Sequence, residues 1–320
     1  MLATLLAEIT PPSGAWPDLP FEAWRETAAT LHLMTQIVGK VRLRHTPALN
    51  HAWTGTLYVG ARGLTTGPMF DSGRVFEIRF DFVDHFLIVE ASDGARWSAS
   101  LRPQPIADFF AEFIAGLESL SLPSKINGAP NELPDPIPFR EDRVHAAYDA
   151  DYAHRFWKAL LAIDRVLQNF RAAFIGKSSP VHFFWGSFDL AATRFSGRRA
   201  PPHPAVPHLP LAVVRDAYSH EVSSAGFWPG GGGIDYPAFY SYAYPAPEGF
   251  SSAPVEPDGA FFSEALQEFI LPYDSVRTAP SPEAALMRFL QSTYLAAAEC
   301  GQWDRAALER GYDPSGQTLV

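Results

Sequence analysis

His182-Phe-Phe-Trp-Gly-Ser-Phe-Asp-Leu-Ala-Ala-Thr-Arg-Phe-Ser-Gly-Arg-Arg199 is the most strongly patterned stretch of the chain, and the architecture can be read outward from it. It reads as a strand and its following turn. Side chains alternate across a strand, so His182, Phe184, Gly186, Phe188, Leu190, Ala192 and Arg194 share one face. Phe183, Trp185, Ser187, Asp189, Ala191, Thr193 and Phe195 share the other. Both faces are largely apolar, which predicts a central strand covered on both sides. Asp189 in such a strand costs free energy unless it is paired, hydrogen-bonded or coordinated. A bulge near Gly186 would bring it round to the face of His182.

Upstream, Phe156, Leu160, Ile163, Leu167 and Phe170 keep helical spacing within a helix from Ala147 to Phe174. Before it, residues 121–146 carry Pro123, Pro130, Pro134, Pro136 and Pro138, a linker stiffened by proline. Downstream, a proline-rich loop (201–210) leads to a predicted strand at Leu211–Val222 and the glycine run Pro229–Gly233. A strand at Phe239–Tyr244, helices at Gly259–Ile270 and Pro282–Cys300, and a polar tail over 301–320 follow. In the first half, Trp24, Leu31, Met34, Ile37 and Val38 make a helical stripe that Gly39 would end. β-like runs then occupy 53–62, 75–82, 85–91 and 95–101, and a helix spans Ile106–Leu120.

The halves can be laid over each other. Trp24 answers Trp157, Pro47 answers Pro180, Trp53 answers Trp185 and Arg62 answers Arg194. The expected fold is therefore α+β: a tandem duplication of an antiparallel-sheet-plus-helices unit about a pseudo-two-fold axis. The units are 1–120 and 147–300, with the candidate site in the second. In this alignment His182 faces Asn50, Asp189 faces Leu57 and Ser196 faces Leu64, so the second copy holds the extra polar groups.

Composition narrows the classes of function. The 320 residues are 47% hydrophobic and 13% aromatic, enough for a sizeable core and an aromatic pocket. A formal net charge of −10 repels a phosphate backbone, so no nucleic-acid partner is expected. A single cysteine, Cys300, excludes an internal disulfide framework and reads as helix packing. No signal peptide and no membrane-length apolar run stand out, so a soluble cytoplasmic protein is expected.

Chemistry concentrates at two places, the opening stretch and Tyr218-Ser-His-Glu-Val222. His182, His220 and one carboxylate, Glu221 or Asp189, would form a two-His-one-carboxylate site suited to Fe(II) or to Zn with an open position, without the helical His-Glu-x-x-His spacing. The same residues without metal give an acid–base pair, His220 with Glu221 or Asp189, oriented by Arg194. Against both stands the plainer role of buried histidines and an aspartate satisfied by hydrogen bonds. Ser187 and Ser196 lack a nucleophile elbow. The run Phe227-Trp-Pro-Gly-Gly-Gly-Gly233 lacks the phosphate-loop fingerprints and reads as a flap with an aromatic lip, Phe227 and Trp228. Trp185, Ser196, Phe227, Trp228 and Tyr240 are the expected ligand contacts. The leading expectation is a small-molecule enzyme. The alternative is a ligand-binding or sensor protein that uses the aromatic cleft between the repeats.

Trp16-Pro-Asp-Leu-Pro-Phe, Trp185-Gly-Ser-Phe-Asp-Leu-Ala-Ala-Thr-Arg-Phe-Ser-Gly and Ser219-His-Glu-Val-Ser-Ser-Ala-Gly-Phe-Trp-Pro-Gly resemble an uncharacterised bacterial family of unknown function, numbered 5996. The resemblance covers residues 16–300. It implies a stand-alone bacterial protein and assigns no catalytic residue.

Overall fold

A computed structural model describes residues 16–231 and 233–311 of the chain. The expectations for the N-terminus before Trp16, for Gly232 and for the tail beyond Gly311 lie outside the described residues. In chain order the elements are α1 (Phe21–His45), β1 (Thr56–Gly60), β2 (Gly63–Thr65), β3 (Met69–Asp71), β4 (Arg74–Asp81), β5 (Phe86–Ala91), β6 (Arg96–Ser100), α2 (Ile106–Ser119) and α3 (Ala150–Ala172). They continue with β7 (His182–Phe184), β8 (Asp189–Arg199), α4 (Leu211–Ala217), β9 (His220–Trp228), β10 (Ala238–Tyr244), β11 (Phe261–Ser263) and β12 (Glu268–Pro272). The last are α5 (Tyr273–Arg277), α6 (Pro282–Cys300) and α7 (Arg305–Leu308).

The strands form one 12-stranded antiparallel sheet in the order β11-β12-β10-β9-β8-β7-β1-β2-β4-β5-β6, with β3 on β4. The fold is α+β. Its two halves meet where β1 pairs with β7, Thr56 opposite Phe184 and Leu57 opposite Phe183. Helices cover one face: α3 lies on β1 and β8, α6 on β9 and β10, α2 on β6. Leu57, Phe156, Phe183, Leu190, Phe227 and Phe289 are sealed between them. Each such side chain contributes roughly 1.5–3 kcal/mol by leaving water. Among the described residues no helix is long and apolar enough to cross a membrane.

The helices predicted at α1, α2, α3 and α6 form, and each buries an apolar face. α1, however, runs through Gly39 to His45. Gly39 serves packing: a Cβ there would collide with the Trp185 indole, so the missing side chain lets the ring lie on the helix.

Three segments fold differently from their patterns. The opening stretch is a hairpin. β7 stops at Phe184, Trp185–Phe188 turn, and β8 returns from Asp189, with His182 opposite Ala191 and Phe184 opposite Asp189. Phe188 takes the left-handed conformation (φ 59°) and its N–H donates to the Phe184 carbonyl at 2.8 Å. Directly paired residues share a face, so the hairpin places His182 and Asp189 on the same side without a bulge at Gly186. Leu211–Ala217 is helix, and the strand begins only at His220. Residues 259–270, expected as helix, form the β11–β12 hairpin. Phe262 pairs with Phe269, their rings 5.2 Å apart, and both meet Phe250 edge to face. The helix-favouring Glu-Ala-Leu-Gln is the turn, because edge pairing onto β10 and burial of Phe269 outweigh local propensity.

Candidate functional site

The sheet face turned away from α3 and α6 holds a cavity of about 610 Å³. It exists because the strands there carry small residues side by side. Ala191 pairs with Gly226, which pairs with Tyr240. Thr193 pairs with Ser224, which pairs with Tyr242. Along β8, Asp189, Ala191, Thr193 and Phe195 line the cavity, while Leu190, Ala192 and Arg194 point to the helices. Rings of Trp53, Trp185, Trp228, Tyr218, Tyr240 and Tyr242 form walls. The roof is α4 with the single turn Asn50–Ala52, tied together where Asp216 accepts from the Ala52 N–H at 3.1 Å.

Asp189 is 4% exposed at the foot of the β7–β8 hairpin. The hydroxyls of Ser187 and Tyr240 donate to its two carboxylate oxygens. Burial still outweighs these bonds and pushes its pKa up to about 6. Gly226 makes the Tyr240 contact available. A Cβ there would lie 2.5 Å from both the Leu190 carbonyl and the Tyr240 hydroxyl, so only glycine lets the phenol cross β9.

Glu132 arrives from the proline-rich segment. It is left-handed (φ 60°), a conformation that needs support from outside. Support comes from α1. Gln36 donates to the Asn131 carbonyl (3.0 Å) and accepts from the Asn131 N–H (2.7 Å), while Lys40 donates to the Asn131 side chain (2.6 Å). The Glu132 carboxyl then packs where a Cβ on Gly186 would stand. Burial, then the nearby Asp189, raise its pKa to about 7. Glu268, first residue of β12, completes the set. Its Oε2 is buried without a hydrogen-bond partner, and burial followed by Asp189 raises it to about 8. Asp189, Glu132 and Glu268 thus share the cavity at three acidities, with Asp189 acting on both of the others, while the fourth lining carboxylate, Asp216, belongs to the roof.

Toward α4 the lining changes character. His51, itself left-handed (φ 59°), accepts from the Lys177 ammonium at Nε2 (2.6 Å), which leaves Nδ1 to donate to the Ala217 carbonyl (3.3 Å). Burial, then Lys177, lower its pKa. Leu209, Pro210, Val213 and Val214 supply the apolar part of the roof.

Of the residues singled out from sequence, Asp189, Trp185, Trp228 and Tyr240 line this cavity. His220 reaches the site only through His51, the two rings 5.7 Å apart. His182 is 1% exposed among Trp53, Tyr58 and Phe184, and burial holds its pKa down near 3. Glu221 accepts from Ser196 and Arg198, both at 2.8 Å, beside a separate hollow of about 250 Å³ near α6 that includes Cys300. The expected His182, His220 and Glu221 metal set is therefore not assembled. Among the described residues no group of three or more His, Cys, Asp or Glu is placed to hold a metal ion. Arg194 cannot orient an acid–base pair, because its guanidinium lies on the helix side, 3.4 Å from the Phe170 ring centre and 4.2 Å from that of Tyr294. Phe227 is wholly buried against Phe239 and Tyr273 in the core, so the aromatic lip reduces to Trp228, which stacks on Tyr240 at 4.5 Å.

Glu132, Glu268 and Gln36 escaped the sequence reading. Glu132 lies in what reads as linker and Glu268 in what reads as the solvated side of a helix. Neither carries a local signal of its destination.

The model of a family of unknown function matches residues 16–310 of the chain. No curated protein and no solved structure matches it.

Proposed function

The chain belongs to that family, DUF5996, whose function is unknown, and on this premise we propose that it is a small-molecule enzyme working by acid–base catalysis in the 610 Å³ cavity. The observation that carries the proposal is the carboxyl trio. Asp189, Glu132 and Glu268 face one cavity with pKa values spread to about 6, 7 and 8. Groups whose environments separate their acidities around neutrality can share base and acid roles. Asp189, the most acidic and already oriented by Ser187 and Tyr240, is the base. Glu268, protonated at neutral pH, is the acid. Glu132 sets the field between them.

The proposal includes a tandem origin for the scaffold. β1 and β7 form an antiparallel seam, each follows a long helix, and strands spread outward from it on both sides. The seam borders the cavity, which takes its floor from the second half and part of its roof from the first.

The test is direct. Purified protein is incubated with a bacterial metabolite extract and followed by mass spectrometry, in parallel with Asp189→Asn and Glu268→Gln variants. A compound consumed by the wild type and spared by both variants is the expected result. A compound retained unchanged at one per chain would make the protein a binder or sensor instead. Consumption by both variants at the wild-type rate would remove the carboxyls from the chemistry.

A further inference from the structure

We infer that the occupant of this cavity is an organic ammonium with an apolar body, its charged end at Asp189 and Glu268 and its hydrocarbon end under α4. The inference rests on the small-molecule reading above and names the class of molecule.

The first argument is charge. The lining carries Glu132, Asp189 and Glu268, with Asp216 at the roof, and neither lysine nor arginine. Cations beside the lining are turned to other partners: Lys40 to Asn131, Lys177 to His51, and Arg42 to the carbonyls of Thr54 and Thr66. A carboxylate or phosphate ligand would add like charge to a site of low dielectric, a costly arrangement. A cation relieves the site, because it offsets the like charge that Asp189 exerts on Glu132 and Glu268.

The second argument is the walls. Trp228, Tyr240 and Tyr242 surround the carboxyl end, and aromatic faces attract an ammonium most strongly where water is excluded. The third is an unused acceptor. Glu268 Oε2 is buried with no donor, whereas both Asp189 oxygens already accept from hydroxyls. A buried acceptor without a donor is unfavourable, and an ammonium N–H supplies one.

The fourth argument fixes the orientation. Lys177 lies over the Trp53 and Phe195 rings at 5.5 and 5.1 Å, so the far end of the cavity already has a cation, and the one carboxylate there, Asp216, is exposed and accepts from the Ala52 N–H. The roof there is Leu209, Pro210, Val213 and Val214, suited to hydrocarbon. An ammonium with a short alkyl or aryl body satisfies both ends.

Matched compounds test this. The full chain is titrated at pH 7 and fixed ionic strength with hexylamine, 1-hexanol and hexanoate, and with phenethylamine, 2-phenylethanol and 3-phenylpropionate, and binding is read by calorimetry and thermal shift. The amine of each set is expected to bind at least about tenfold more tightly than its alcohol, and the carboxylate not at all. Glu268→Gln is expected to weaken the amines about tenfold and leave the alcohols within about twofold, a pattern that simple misfolding would not give. Alcohols or carboxylates binding as tightly as the amines would overturn the ammonium inference and leave the small-molecule pocket standing. So would failure of every amine alongside a neutral or acidic compound consumed from the metabolite extract. Failure of every amine with nothing bound or consumed from the extract would sink both.

Discussion

Gly226, Tyr240 and Asp189 show how one missing side chain builds a site. The phenol reaches the carboxylate across β9 only because residue 226 has no Cβ. Gly226→Ala is expected to cost about 1–3 kcal/mol, since both the Leu190 backbone and the Tyr240 ring would have to give. Ligand binding should weaken with it, and an unchanged melting temperature would contradict this packing. Asp189→Asn behaves oppositely. It removes a buried group that burial disfavours as an anion, so catalysis should fall by about 100-fold or more while stability at pH 8 holds or rises. Loss of both together would mean that the carboxylate is structural. Asp189 was legible in sequence because a charge in an apolar strand is conspicuous. Glu268 was not, because a glutamate among Glu-Ala-Leu-Gln looks like a helix surface.

At the level of elements, a recurring turn places the chemistry. β4–β5, β7–β8 and β11–β12 are each joined by four residues, the last left-handed: His85 (φ 57°), Phe188 (φ 59°) and Gln267 (φ 58°). In the second and third, the next residue is a cavity carboxylate, Asp189 or Glu268. Gln267 is exposed, so its backbone conformation can be tested apart from packing. Gln267→Gly is expected to stabilise by about 0.5–1 kcal/mol and Gln267→Val to destabilise by about 1–2 kcal/mol in denaturant titrations. The reverse order would exclude a left-handed residue here. α1 contributes in another way. Gln36 is fully buried and satisfies both polar groups of the Asn131 backbone. Gln36→Ala should cost about 1–3 kcal/mol and lower activity further than that loss explains, because Glu132 loses its anchor. Retained activity in a destabilised variant would show that Glu132 needs no such support. The helices themselves were legible, since their stripes face the sheet. The α4 helix and the β11–β12 hairpin were not, because short segments take the conformation their neighbours can pair or cover.

For the molecule as a whole, the buried titratable groups give stability a definite pH profile. Asp189, Glu132 and Glu268 have folded pKa values raised from 3.8 or 4.5, so the stability tied to their neutral forms is full below that range and lost as pH rises through about 6, 7 and 8. His32 and His182 are lowered from 6.5 to about 4 and 3, so their contribution is full above 6.5 and lost on acidification. Between pH 6.5 and 8 the carboxyls dominate, and the melting temperature of ligand-free protein should fall. Glu268→Gln should flatten that fall, and calorimetry showing the same slope in both would place Glu268 in water.

The sequence alone determined what is local or compositional: four long helices, most strands, an aromatic-rich core, an acidic chain and a conspicuous Asp189. Periodicity records which side of an element avoids water, and that survives in any compact fold. Only the tertiary structure decided that the two halves share one sheet through β1 and β7, that the opening stretch doubles back on itself, and that Glu132, Asp189 and Glu268 meet. The seam and the carboxyl trio bring together residues about 60 to 140 positions apart, fixed by strand pairing and by glycines whose partners are remote in the chain. No window of local sequence contains both members of such a contact, so the pattern that places Asp189 on a strand says nothing of the two glutamates that tune it.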